Sequence, residues 1–381
     1  MLVEVFFRAE PDVTIATRSR LSSVLVATSA KFALFDHIEG IPGTSMQTLL
    51  RDRLDFIQIA DRSGFAGYHL AEHHGSDLCL APNQEIFLSA ASQLTTQIRL
   101  GPLVKILPLH HPLRVIEDIC LLDQLSGGRV DYGVGRGPVA IEHFWFNGEW
   151  DASYERFDEA LSIIAEGLQT GTAGGKDGRK FYDFPPCQVT VSPLQQPNPP
   201  FWYPGNPVTA GRYGMSLMWP GPISNEAYDA YLEAWDRHKD DATRFDAPGS
   251  KPRIGTAMGI VVHEDDATAK EISGRGAMGT AHRVMHVHKF DHLALDEEQA
   301  EAALNPLALG ARALLQAGGG TMLAERTAAS GSPEHVIDVL GTYLDRGVSD
   351  YILLALPSGD QTFEEAKAAL ELFASDVMPK L

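Results

Sequence analysis

From Lys31 onward, short apolar runs alternate with longer stretches in which apolar residues recur every three to four positions. Eight runs have the length and composition of strands: Phe32–His37, Gly67–His73, Ile98–Leu107, Val130–Gly135, Pro200–Asn206, Ser216–Trp219, Ile254–Val262 and Asp350–Leu356. The intervening stretches read as amphipathic helices. Leu50, Leu54 and Ile57 repeat at i, i+4, i+7, and Val115, Ile119 and Leu122 do the same. Phe157, Leu161, Ile164 and Leu168 carry the stripe further. Pro112 fits a first helical turn, and Ser126-Gly127-Gly128 fits a helix end. Strands alternating with helices imply parallel pairing through right-handed crossovers. Eight such units with no obvious edge predict an α/β protein, a TIM-type (β/α)₈ barrel; an open doubly wound sheet is the alternative.

Two stretches break the rhythm. Thr170–Gln196, after strand four, is rich in Gly, Pro and polar residues and reads as a long loop with a small hairpin. Arg275–Arg326, after strand seven, is longer than a crossover requires. Insertions of that size are usually lids, binding segments or disordered loops. Residues 1–30 read as an N-terminal extension of the kind that is often poorly ordered, ahead of one barrel domain over 31–381. They lack the basic, apolar and cleavage regions of a signal peptide. No internal repeat and no second domain are expected.

Composition narrows the function. A chain of 381 residues, 44% hydrophobic and 21% charged, can build one large soluble core. A formal charge of −19 argues against a nucleic-acid partner, which needs clustered Lys and Arg. No apolar run approaches the roughly 20 residues of a membrane span, so no membrane is expected. Cys79, Cys120 and Cys187 show no metal spacing and read as reduced thiols, consistent with a cytoplasmic location.

In a (β/α)₈ barrel the chemistry sits at the C-terminal ends of the strands. Strand two ends on Glu72-His73-His74. An imidazole exchanges protons near neutral pH, so this segment is the candidate acid/base. Strand alternation puts Glu72 and His73 on opposite sides, so one His acts while the other residues bind the scaffold. A metal site is the rival reading, with His110 and His111 as further ligands. The spacing matches no closed metal motif, and the expectation is no metal.

Strand four ends on Gly133-Val134-Gly135-Arg136-Gly137. Its glycines allow close backbone approach, and Arg136 offers a planar fork to an anion. The plain alternative is a tight turn with an exposed Arg. Arg156, in the first turn of the next helix, could reach the same anion or lie on the surface. After strand five, Asn206 and Thr209 could bond a phosphate at a helix N-terminus or merely cap it. Phe144-Trp145-Phe146 and Phe201-Trp202-Tyr203 read by default as core, and otherwise as a wall for a flat ring.

Taken in order, these segments resemble the bacterial luciferase-like family of flavin-dependent monooxygenases. The resemblance covers about Lys31 to Leu381. Besides the motifs above it includes Leu107-Pro108, His111-Pro112 and Leu121–Arg129. Near the end it includes Gly331-Ser332-Pro333-Glu334 and Leu372–Pro379. It implies FMN bound at the strand ends, reduced by a separate flavin reductase. It also implies oxygenation of a small organic substrate by O₂ through a flavin peroxide, and a homodimer. His73 matches the catalytic histidine, with Glu72 or His74 orienting it. Arg136 and its neighbour Gly137, together with Arg156, Asn206 and Thr209, match phosphate contacts. Leu103-Val104 matches a non-proline cis peptide facing the flavin. Gly135 departs from the family by replacing a reactive cysteine, and Asn206 replaces a serine. Arg275–Arg326 matches the family's lid poorly, which leaves bioluminescence and a long-chain aldehyde substrate without support. Alternatives in other classes are F420-dependent hydride transfer on the same fold, a metal-dependent hydrolase and a non-catalytic flavin-storage protein.

Overall fold

The ring of strands is built from β1 (Lys31–Asp36), β2 (Gly67–Leu70), β3 (Arg99–Pro102), β4 (Lys105–Ile106) and β5 (Tyr132–Gly135). It continues through β8 (Phe201–Tyr203), β9 (Ser216–Pro220), β10 (Ile254–Val262) and β12 (Tyr351–Ala355) in a computed structural model. The structure describes residues 30–241, 243–287, 312 and 328–381. Neighbours run in the order β3-β2-β1-β12-β10-β9-β8-β5-β4, and the pairs are parallel. A parallel bridge between Leu100 and Val130 joins β3 to the lead-in of β5 and closes the ring. β3 and β4 are the two halves of the predicted third strand, divided at Leu103-Val104. All eight predicted strands are present, and the barrel is the fold. A further strand, β11 (Ala328–Gly331), pairs in parallel with the far half of β10.

Helices follow the strands as the periodicity requires. Those that position the site are α1 (Met46–Arg62), α2 (Gln84–Leu94), α3 (Pro112–Ser126), α4 (Ala140–Trp145), α5 (Ser153–Thr170) and α6 (Pro207–Arg212). α7 (Asn225–Arg237), α8 (Asp266–Val287), α9 (Pro333–Leu344) and α10 (Phe363–Leu372) complete the outer layer. Ser45 caps α1 by accepting from Thr48 N, and the buried face of α1 carries Leu49, Phe56, Ile57 and Ala60. α3 starts on Pro112 and stops at Gly127, whose φ of 69° only glycine adopts cheaply. The predicted hairpin in the long loop is a two-residue antiparallel pair, β6 (Thr172–Ala173) with β7 (Cys187–Gln188).

The main core lies between the strands and helices. A smaller cluster of Ala33, Leu103, Trp202, Met218, Tyr351 and Leu353 comes from the strands themselves and fills the ring. Thus Phe201-Trp202-Tyr203 is core, as expected by default. Phe144-Trp145-Phe146 is not: these side chains are 46%, 45% and 40% exposed on the short helix α4 and its end. Residues 1–29 of the extension lie outside the described residues. Of the Arg275–Arg326 stretch, 275–287 form the last turns of α8, and the remainder apart from Arg312 lies outside. Among the described residues no helix is long and apolar enough to cross a membrane.

Candidate active site

The peptide between Leu103 and Val104 is cis, as the resemblance implied. Both residues pack in the ring-filling cluster. The glycines of strand four serve this segment. A Cβ at Gly133 would meet Leu103 Cδ1 at 2.5 Å, one at Gly135 would meet Val104 Cγ2 at 2.6 Å, and one at Gly137 would meet Ile106 Cγ2 at 2.6 Å. These glycines let β5 lie flat against the third strand. A reactive cysteine at 135 would displace Val104. Gly135→Ala is therefore expected to lower the unfolding free energy by about 1–3 kcal/mol, measured by chemical denaturation. An unchanged midpoint would show that Val104 yields freely.

Beyond β2 the chain delivers Glu72 and His73 to different partners, as alternation predicts. His73 is 6% exposed, and its Nδ1 stands 3.2 Å from Glu142 Oε1. The same carboxylate oxygen accepts from His74 N at 2.8 Å, which fixes the segment as well as the ring. A carboxylate can only accept, so Nδ1 carries a proton and donates it to Glu142. Among the described residues Nε2 meets no hydrogen-bonding partner. The His37 ring stacks on His73 at 5.7 Å and 17°. Burial, with the adjacent His73, pushes the His37 pKa down to about 3. His37 is thus a neutral wall.

The expectation that Glu72 or His74 orients His73 is corrected: Glu142 does so. Glu72 Oε1 instead takes His74 Nε2 at 3.0 Å and His110 Nε2 at 2.6 Å, and Oε2 takes Ile106 N at 2.6 Å. Burial by itself would raise the Glu72 pKa. The charge and hydrogen bond of His110, the hydrogen bond of His74 and the charge of Lys105 outweigh it and hold the carboxyl well below its usual range. Phe146 covers His74, ring centroids 4.6 Å apart.

Arg136 lies between the rings of Trp150 and Tyr154, 4.1 and 4.3 Å from their centroids, and donates to Ser153 Oγ at 3.2 Å. Burial lowers its pKa, with nearby Tyr154 and Tyr203 opposing. Arg156 donates to Tyr182 Oη at 3.3 Å. Among the described residues neither guanidinium has a carboxylate partner. Asn206 caps α6: its Oδ1 accepts from Val208 N at 2.8 Å and Thr209 N at 3.3 Å. Those two N–H groups are therefore taken, so of the two readings offered Asn206 follows the capping one. The Asn206 backbone bonds the Tyr203 hydroxyl, which places Asn206 beside the Tyr203 that also neighbours Arg136.

The sequence reading missed Glu142, His143 and His37. His143 is buried, its Nε2 has no partner, and burial followed by the Arg136 charge brings its pKa to about 4. Glu142 meets His73 across 69 residues of chain, a separation that leaves no spacing signal. His37 carried one overlooked sign: it ends a strand, as His73 does.

A model of the family described as luciferase-like monooxygenase matches residues 30–350. An uncharacterised protein of Sinorhizobium fredii is 39% identical over 197 residues, 51% of this chain and 57% of the relative's own length. The oxygenase component of a flavin-dependent trigonelline monooxygenase from Acinetobacter baylyi is 25% identical over 365 residues. That match covers 92% of this chain and 95% of the relative. Among solved structures, the oxygenating constituent of 3,6-diketocamphane monooxygenase from Pseudomonas putida, in complex with FMN, superposes with a TM-score of 0.69. It is 18% identical and covers 93% of this chain and 99% of that one. An F420-dependent secondary alcohol dehydrogenase shares the fold, with a TM-score of 0.63, 17% identity and the same two coverages, 93% and 99%.

Proposed function

The chain belongs to the luciferase-like monooxygenase family, and we propose that it uses reduced FMN and O₂ to oxygenate a small organic substrate. The observation that carries the cofactor reading is the pair of guanidiniums, Arg136 and Arg156, without acidic partners in a chain of net charge −19. A cation left without a carboxylate at a barrel mouth suits a phosphate. The residues fit FMN on this ground. Arg136 and Arg156 would hold its phosphate, with Thr209 beside them, and Leu103-Val104 would meet its ring. Bound FMN supplies the electrons and activates oxygen.

The protein's own part is positioning and proton handling. Glu142 fixes the His73 ring through Nδ1, so a proton is held or moved at Nε2. His37, stacked on His73, walls the same mouth and helps exclude water from it. Glu72 sets the backbone of the third strand by accepting from Ile106 N. A separate reductase would supply the reduced flavin.

The test is anaerobic titration with reduced FMN, followed by substrate-dependent oxygen uptake. Uptake above the free-flavin background supports an oxygenase. Tight flavin binding without uptake points to storage, and preferential F420 binding points to hydride transfer. Arg136→Ala is expected to weaken FMN about tenfold, or 1.4 kcal/mol, with riboflavin unaffected. Equal losses for both would remove the phosphate role.

A further inference from the structure

In that mechanism Glu72 sets the third strand through Ile106 N, while His74 and His110 only donate to its other oxygen. Their ligand-capable atoms, one carboxylate oxygen and two imidazole Nε2 atoms, all lie within 4.8 Å of one another. Two elements bring them together. The turn after β2 places residues 72 and 74 on one side, and the segment between β4 and α3 returns His110 to the same carboxylate. Sequence spacing hides this, because 38 residues separate Glu72 from His110.

We propose that these three side chains form a binding site for a divalent transition-metal ion of the zinc class. Two imidazoles and one carboxylate are a competent borderline ligand set for such an ion. In a tetrahedral zinc site, bonds of about 2.0–2.1 Å set ligand atoms roughly 3.4 Å apart. Here Glu72 Oε1 lies 3.0 Å and 2.6 Å from the two Nε2 atoms. Reaching that spacing moves the two Nε2 atoms away from Oε1 by about 0.4 and 0.8 Å, and the proton each Nε2 now donates to Glu72 must leave it, so that each ring holds its proton on Nδ1 and Nε2 gives its lone pair. Glu72 is already oriented from behind by Ile106 N on its other oxygen, the outer support that metal-binding carboxylates use.

The site has an access route. His74 and His110 line a cavity of about 620 Å³ between α2 and α3, together with Phe146, Glu85, Asp118 and Ile86. Their side chains are 15% and 19% exposed there, while Glu72 is sealed. An ion on the three ligands would keep its fourth position toward this cavity. Lys105, a cation whose charge also acts on Glu72, is held by Glu85 at 2.8 Å.

The experiment uses the full chain, stripped with chelator and dialysed against zinc or cobalt chloride. The expected result is one equivalent of zinc by elemental analysis and a tetrahedral cobalt absorption spectrum. Both should weaken about tenfold or more in His110→Ala and Glu72→Gln, with His111→Ala unchanged. His74→Gln, a small change at a part-exposed position, repeats the test if the others fold poorly by circular dichroism. No stoichiometric metal, or binding unaltered in the folded His110 and His74 variants, overturns the site and leaves a hydrogen-bonded triplet.

Discussion

His73→Ala should bind flavin as the parent does and lose about 10²- to 10⁴-fold in turnover, the range general acid–base groups supply. The geometry behind this is specific. Glu142 clamps Nδ1 at 3.2 Å, and Nε2 meets no protein partner among the described residues. The ring's other nitrogen is therefore free to exchange a proton with a reactant, while one ring face packs on His37. Glu142→Gln separates orientation from chemistry. It keeps a hydrogen-bonding group but removes the charge that fixes the tautomer, so a smaller loss, about tenfold, is expected. The assays belong in chelator, so that an ion on the neighbouring His74 cannot contribute. Steady-state turnover with the reduced-flavin supply in excess decides the matter. Normal turnover in the His73 variant removes it from the mechanism. Loss of flavin binding in step with turnover would show instead that the ring is a wall of the pocket.

The fold was legible because parallel strands buried on both faces read as continuous apolar runs. Each of the eight runs became a strand, and caps such as Pro112 and Gly127 stand where their chemistry requires. The site was legible only where function and strand end coincide, at Glu72-His73-His74 and Arg136. Partners brought in by crossovers left little signal. Glu142 rides on a six-residue helix too short to show periodicity. His110, on an irregular connection, was named only as a further ligand of the rival metal reading, and no spacing marked its bond to Glu72. The aromatic triplet at 144–146 failed as core for a related reason: composition cannot tell a ring covering His74 from one filling the interior. The glycines at 133, 135 and 137 suggested anion binding, yet their immediate task is steric, making room for the side chains of the third strand.

Asp36→Ala should lower the unfolding free energy by about 3–5 kcal/mol, the usual consequence of stranding one member of a buried ion pair. Asp36 and Arg53 are each 1% exposed, and Arg53 Nε lies 2.9 Å from Oδ2. The same oxygen accepts from Tyr68 Oη at 2.8 Å, tying α1 and β2 to the end of β1. The other oxygen accepts from Ile38 N at 2.7 Å. Ile38 has a φ of 53°, a left-handed conformation that β-branched residues avoid at a cost of about 1–3 kcal/mol. That turn aims His37, the residue between them, at His73. Removing Asp36 thus releases a strained turn at the mouth as well as a buried charge. The triple change Asp36→Leu, Arg53→Met, Tyr68→Phe replaces the polar cluster by apolar groups of similar size. It should recover most of the stability, less about 1 kcal/mol for the unpaired Ile38 N–H. Urea denaturation of the two proteins separates the effects. A loss below about 1 kcal/mol in the single variant would mean water reaches Arg53. Failure of the triple variant to recover would place the stability in the Ile38 turn rather than in the pair.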